Sequence, residues 1–179
     1  MEENQKREIL RYQIFSFVFV SILGTILHFT YEWSGENKVV ALFSSVNEST
    51  WEHLKLIYFP MLISIIIGYF YIGKNVENFL CAKIIGFLVA IIFTVTFFYT
   101  YIGILGQGID AVNIITFFIA VAVGEYAAYE LMVSKFKCYK KIAIVVLIIF
   151  LAIFAIFTYN TPKLGIFKDP ITGSYGIDK

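Results

Sequence analysis

The fold is decided by the stretch NESTWEHLKLIYFPMLISIIIGYFY, which covers residues 47–71. Its beginning, from Asn47 to Lys55, is the most polar run in an otherwise hydrophobic chain. The rest is almost wholly apolar, and a helix of about 20 apolar residues crosses a bilayer. We therefore predict a membrane-spanning helix from Thr50 to Tyr71, kinked at Pro60, with a polar entrance.

Four more apolar stretches are long enough to span a membrane. They cover Leu10–Trp33, Phe79–Gly103, Ile109–Val133 and Ile142–Tyr159. Hydrophobic residues make up 59% of the chain and charged residues only 15%, against about 25% in soluble domains. We expect an all-α polytopic membrane protein with five transmembrane helices. One domain would cover residues 1–160, of which the polar residues 1–9 form a frayed start. An extracytoplasmic tail would cover residues 161–179.

The connection between the first two spans is also apolar in part. Val39–Val46 is too short to cross the bilayer, so we predict a short interfacial helix there. In the tail, Ile166, Phe167 and Tyr175 are expected to anchor a lid over the outer opening.

Charge fixes the expected orientation. Of the fourteen Lys and Arg residues, nine fall on one side of the predicted bundle, four on the other, and Lys55 within a span. The positive-inside rule then places the N-terminus inside and the C-terminus outside.

The two cysteines, Cys81 and Cys138, lie on the predicted inner side, where reduced thiols are expected. A net charge of +1 and the absence of a basic stripe argue against nucleic acid as a partner.

On this topology the end of the first span and the start of the second meet at the outer face. His28 and Glu32 share one helix face, and Glu48, Glu52 and His53 open the second helix. Imidazole nitrogens and carboxylate oxygens bind zinc, iron or manganese. A site with three protein ligands and an open position activates water for hydrolysis. We therefore predict a divalent-metal site in a metal-dependent membrane hydrolase.

The residues of this prediction fall into three groups. The predicted metal ligands are His28, Glu32, Glu52 and His53; the predicted catalytic residues are Glu48, as general base, and Lys55; further polar candidates are Asn47, Ser49, Asp110 and Glu125. A competing interpretation is that Ser49 and Glu52 form a helix capping box and that the other groups are ordinary interfacial polarity.

Two other functions stay open. A small transporter or channel would use Glu125, an intramembrane carboxylate, along with Lys55, Asp110 and the Pro60 kink; alternatively, Glu125 and Glu130 face the inner interface and pair with Lys135. A non-catalytic subunit or assembly factor would dock through Ala120, Gly124 and Ala128, whose small-xxx-small spacing also suits a homodimer.

Three pieces carry a resemblance to a known family: His28–Gly35, Val46–Lys55 and Asp169–Gly176. They resemble an uncharacterised family of small multi-pass bacterial membrane proteins. The resemblance covers nearly the whole chain, and it implies a bacterial plasma membrane and contact with lipid. The chain is more loosely similar to intramembrane hydrolases related to alkaline ceramidases, although the late His-x-x-x-His pair of that group has no counterpart here.

Overall fold

The computed structural model describes residues 1–134 and 136–177, and its described part contains five long helices and no strand. They are α1 (Glu3–Trp33), α2 (Thr50–Gly68), α3 (Phe79–Leu105), α4 (Asp110–Val133) and α5 (Lys140–Tyr159). A π-helical turn, Tyr69–Gly73, extends α2. All five helices are long and apolar enough to span a membrane. Lys135 and the last two residues of the predicted tail lie outside the described part.

The predicted spans agree with these helices to within a few residues, except at the N-terminus. The frayed start predicted for residues 1–9 is wrong, because α1 already begins at Glu3. The long apolar helix propagates into the polar segment, where Glu3 suits the positive end of the helix dipole and pairs with Arg7 at 3.7 Å. Pro60 lies inside α2, as expected.

The loop between α1 and α2 contains one turn of 3₁₀ helix, Val40–Leu42, within the segment predicted as an interfacial helix. Ser44 fastens this loop to α1. Its hydroxyl accepts a hydrogen bond from the Tyr31 N–H at 2.9 Å and donates one to the Leu27 carbonyl. The loop is therefore folded back along the last turns of α1.

Small residues bring α3 and α4 into backbone contact. A Cβ added to Gly124 would lie 2.6 Å from the Gly86 carbonyl and 3.0 Å from the Ala90 Cβ. Ala120 and Ala128 on the same face of α4 are fully buried. The small-residue face predicted to dock another protein or a second copy is thus already covered, because α3 of the same chain packs against it.

The helices leave large apolar side chains on the outside. α5 lies at the edge of the bundle, and Ile142, Val145 and Ile148 on it are each more than half exposed. In a chain with five candidate spans, such residues are suited to contact lipid rather than water.

The tail packs back onto the end of the bundle. Phe167 is buried, with its ring centroid 4.8 Å from that of Trp51 and 5.4 Å from that of Phe157. A bridge between Lys168 and Tyr175 closes the tail into a short hairpin.

A disulfide joins Cys81, near the start of α3, to Cys138, just before α5. The expectation of reduced thiols is therefore corrected. That expectation considered only the predicted compartment, whereas the fold brings the two sulfur atoms within bonding distance.

Candidate metal centre

The entrance of α2 is organised by Ser49. Its side chain accepts a hydrogen bond from the Glu52 N–H at 3.3 Å, so Ser49 is the N-cap. The reciprocal half of a capping box is absent, because the Ser49 N–H bonds to Asn47 Oδ1 at 2.9 Å. Asn47 also donates to the Gly176 carbonyl at 3.0 Å, which ties the tail to this end of α2.

His28, Glu48 and His53 come together at this entrance. His28 is on the last turns of α1, Glu48 is in the loop just before the N-cap, and His53 is on the first turn of α2. The two Nε2 atoms are 3.2 Å apart. Glu48 places Oε1 3.7 Å from the Nε2 atom of His28 and Oε2 3.4 Å from that of His53. All three residues are partly buried, and their ligand atoms lie within 4.8 Å of one another.

Two of these separations are close to the edges of a metal coordination shell. Zinc binds imidazole nitrogen and carboxylate oxygen at about 2.0–2.2 Å with tetrahedral geometry, so two ligand atoms of one ion are about 3.3–3.6 Å apart. The 3.2 Å between the two Nε2 atoms and the 3.4 Å between His53 Nε2 and Glu48 Oε2 fall close to this range, whereas His28 Nε2 is nearest to the other carboxylate oxygen, Oε1, at 3.7 Å. One ligand atom from each residue lies within 4.8 Å of the other two, so one ion could contact all three side chains once the carboxylate adjusts.

A hydrogen bond to the backbone fixes the orientation of the His53 ring. Its Nδ1–H donates to the Ser49 carbonyl at 2.9 Å, and so Nε2 is the atom that faces His28 and Glu48. A backbone carbonyl on the second ring nitrogen is the usual support of a metal-binding imidazole. In the metal-free protein, Nε2 can carry the proton that bonds to Glu48, and a metal would replace that proton.

Glu48 is held as a carboxylate. Hydrogen bonds from His28 and His53 keep the pKa of the Glu48 carboxyl well below its usual range. The residue predicted as a general base thus lies among the potential ligands, ionised and within reach of the same ion.

The other predicted ligands lie elsewhere. Glu32 is exposed on the last turn of α1. Glu52 is buried and turned towards Lys55: its Oε2 accepts from the Val46 N–H at 3.1 Å and contacts Lys55 Nζ at 2.5 Å. Neither belongs to the group of close ligand atoms.

Lys55, predicted as catalytic, is fully buried beside Glu52. Its ammonium group donates to the Ala41 carbonyl at 2.8 Å and to the Thr158 hydroxyl at 3.1 Å. The Glu52–Lys55 pair therefore joins α2 to the α1–α2 loop and to α5, and it supports the loop that carries Glu48.

Glu125 belongs to a second buried polar cluster. Lys83 Nζ lies 2.7 and 2.6 Å from its two carboxylate oxygens, and the Ser16 hydroxyl donates to Oε1 at 2.7 Å. Both charged side chains are buried. The alternative in which Glu125 faces the inner interface does not fit this arrangement, because its carboxylate is turned to Lys83 on α3 and Ser16 on α1. Lys83 was not among the predicted site residues, and the signal that could have found it is a Lys and a Glu on adjacent spans.

A large cavity opens beside the three potential ligands. It has a volume of about 720 Å³, and His28, Glu48 and His53 form part of its wall. Asp110, at the start of α4, lines the same cavity, as does Pro170 from the tail. A ligand in the cavity would therefore be beside His28, Glu48 and His53.

The comparison with family profiles finds one match over nearly the full length. The profile of a family of unknown function, DUF6512, matches residues 1–177. Neither a curated protein nor a solved structure matches the chain. The match agrees with the uncharacterised family that the sequence motifs resemble. The chain therefore belongs to the family of unknown function DUF6512.

Proposed function

We propose that this protein is a membrane-embedded hydrolase that binds one divalent metal ion through His28, Glu48 and His53. The observation that carries the proposal is the convergence of three ligand atoms, from two helix ends and a loop, within 4.8 Å. Two imidazoles and a carboxylate suit zinc best, with iron or manganese as alternatives.

The reaction class follows from the ligand count. A zinc ion with three protein ligands keeps an open position, where a bound water ionises near neutral pH. The cavity adjoins the three ligands, so the substrate's scissile group would be held beside that position. Hydrolysis of an ester or amide is the chemistry that such a site supports. In our proposal the site faces the outside of a bacterial plasma membrane.

The proposal is tested by counting bound metal. The purified protein is stripped with a chelator, exposed to zinc and assayed for zinc per chain, with iron and manganese in parallel. We expect one ion per chain in the wild type and background levels in a His28→Ala, His53→Ala double variant. Glu48→Gln is expected to weaken binding by at least about tenfold, by loss of a direct ligand.

Glu32→Gln is the matched control for Glu48→Gln. It removes a nearby carboxylate on α1 that lies outside the cluster, so zinc binding should remain at the wild-type level. A folded wild-type protein that binds none of the three metals would refute the proposal. Equal losses in the Glu32 and Glu48 variants would refute the assignment of ligands.

A second candidate function is transport, which the buried Lys83–Glu125 pair favours. Charged groups inside membrane spans frequently mark ion or proton pathways. In this alternative, Glu125→Gln would abolish a flux that the wild-type protein supports in liposomes. Absence of ion and proton flux in the wild type would eliminate it.

A further inference from the structure

The cavity beside the metal centre is mostly apolar. Apart from the three potential ligands, four threonines and the polar residues Gln107, Asp110 and Asn113 near the α3–α4 connection, its wall is built of glycines, Pro170 and aliphatic and aromatic side chains. They include Leu56, Ile57, Phe98, Ile102 and Phe117. Its volume of about 720 Å³ is within the usual range for ligand sites, about 300–1,000 Å³. A small polar substrate would leave this apolar surface without a partner.

The wall of the cavity on α1 and α4 includes exposed apolar side chains. Phe29, Ile114 and Phe118 line it and are 43%, 59% and 36% exposed. On membrane spans, such side chains are suited to contact lipid. The cavity therefore adjoins a part of the bundle surface that a bilayer would cover.

In a membrane-spanning bundle, this part of the cavity wall would lie near the membrane interface. Phe29 is one helical turn from the end of α1 at Trp33, and Ile114 is one turn from the start of α4 at Asp110. A molecule that enters here can keep a polar group at the interface and an apolar chain in the cavity. His28, Glu48 and His53 form the part of the cavity wall that such a polar group could contact.

We infer that the substrate of the proposed metal centre is a membrane amphiphile. Its acyl chain enters from the bilayer between α1 and α4 and occupies the apolar cavity, with its polar head beside His28, Glu48 and His53. This inference rests on the proposed function for the role of the head group; the acyl-chain site itself rests on the shape and lining of the cavity.

The inference is tested by photo-crosslinking in vesicles. The zinc-loaded protein is reconstituted in phosphatidylcholine vesicles that contain a palmitic acid analogue with a mid-chain diazirine. After irradiation, labelled peptides are mapped with and without excess unlabelled palmitic acid. We expect competed labelling of cavity residues on α2, α3 and α4, against an uncompeted background on the outer face of α5.

Two pairs of tryptophan variants provide the control. Thr25 and Ile114 line the cavity, whereas the adjacent Ile26 and Ile115 do not and are 44% and 56% exposed. Thr25→Trp and Ile114→Trp should each reduce competed labelling roughly tenfold, the effect of excluding about two methylene groups. Ile26→Trp and Ile115→Trp should leave it unchanged. Either pair suffices if one variant does not fold.

Zinc content, measured on the same samples, separates the two proposals. Uniform, uncompeted labelling in a zinc-binding protein would overturn the amphiphile inference and leave the metal centre in place. Competed cavity labelling in a protein without bound metal would overturn the proposed function and leave an acyl-chain site. Equal labelling in both members of each tryptophan pair would also overturn the inference.

Discussion

In the proposed site, Glu48 would be both a metal ligand and an electrostatic partner of the two imidazoles. Hydrogen bonds from His28 and His53 lower the pKa of its carboxyl group, so it stays ionised in mildly acidic solution. A metal would have to replace any proton on Nε2 of the two histidines, because a protonated nitrogen has no lone pair for a metal.

The lowered pKa of the Glu48 carboxyl should make the thermal stability of the metal-free protein depend on pH. A carboxyl group whose pKa is lower in the folded state stabilises the fold above its ordinary pKa of about 4.3, and the stabilisation is lost as pH falls through the lower value. We expect the difference in Tm between wild type and Glu48→Gln that is present at about pH 5 to narrow as pH falls below about pH 4. A difference that is as large at about pH 3 as at pH 5 would contradict this explanation.

Lys55 is expected to act on the site through the loop. Lys55→Met leaves the Glu52 carboxylate buried without its cation, which typically costs about 3–5 kcal/mol. The double variant Glu52→Leu, Lys55→Met should recover much of the free energy of unfolding, since neither charge remains. Denaturation in detergent measures both effects. A single variant as stable as the wild type would show that the pair contributes little.

The contact between α3 and α4 depends on the absence of side chains at one point. Gly86→Ala would place a Cβ against the Gly124 carbonyl, and backbone cannot easily yield, so we expect a loss of about 1–3 kcal/mol. Gly103→Ala is the control in the same helix, because nothing lies within 4 Å of its added Cβ. It should be neutral or stabilising by up to about 1 kcal/mol. Equal thermal stability of the two variants would contradict the packing.

The helices could be predicted from the sequence because hydrophobic length is a local property. The spans from Thr50 and from Phe79 begin at the predicted residues. The direction of a side chain is not local. Glu52 and His53 are neighbours in the sequence, yet Glu52 is turned to Lys55 while His53 faces His28. The three potential ligands could therefore be identified only from the way in which α1, the α1–α2 loop and α2 pack together.

The bundle has two chemically different ends. The His28–Glu48–His53 cluster is at one end, and the disulfide between Cys81 and Cys138 is at the connections of the other. The excess of Lys and Arg is also at the disulfide end, which the positive-inside rule places in the cytoplasm. Disulfides are rare in that compartment, so orientation and thiol state are best tested together.

Reporter fusions test the orientation. Alkaline phosphatase, which is active only outside the cytoplasm, is fused after Asn37 or after Asn75, in the first and second connections between the long helices. We expect activity from the Asn37 fusion and none from the Asn75 fusion, because the positive-inside rule places the first connection outside and the second in the cytoplasm. Activity in the reverse pattern would place the metal centre in the cytoplasm and the disulfide outside.

In the proposed site, two imidazoles and a carboxylate share one metal ion. X-ray absorption fine structure at the zinc edge of the zinc-loaded protein identifies the atoms bound to that ion. We predict nitrogen and oxygen scatterers at about 2.0–2.2 Å, with the multiple-scattering pattern of two imidazoles and no sulfur shell. A sulfur shell at about 2.3 Å, or the absence of imidazole scattering, would contradict the assignment of His28, Glu48 and His53 as the metal centre.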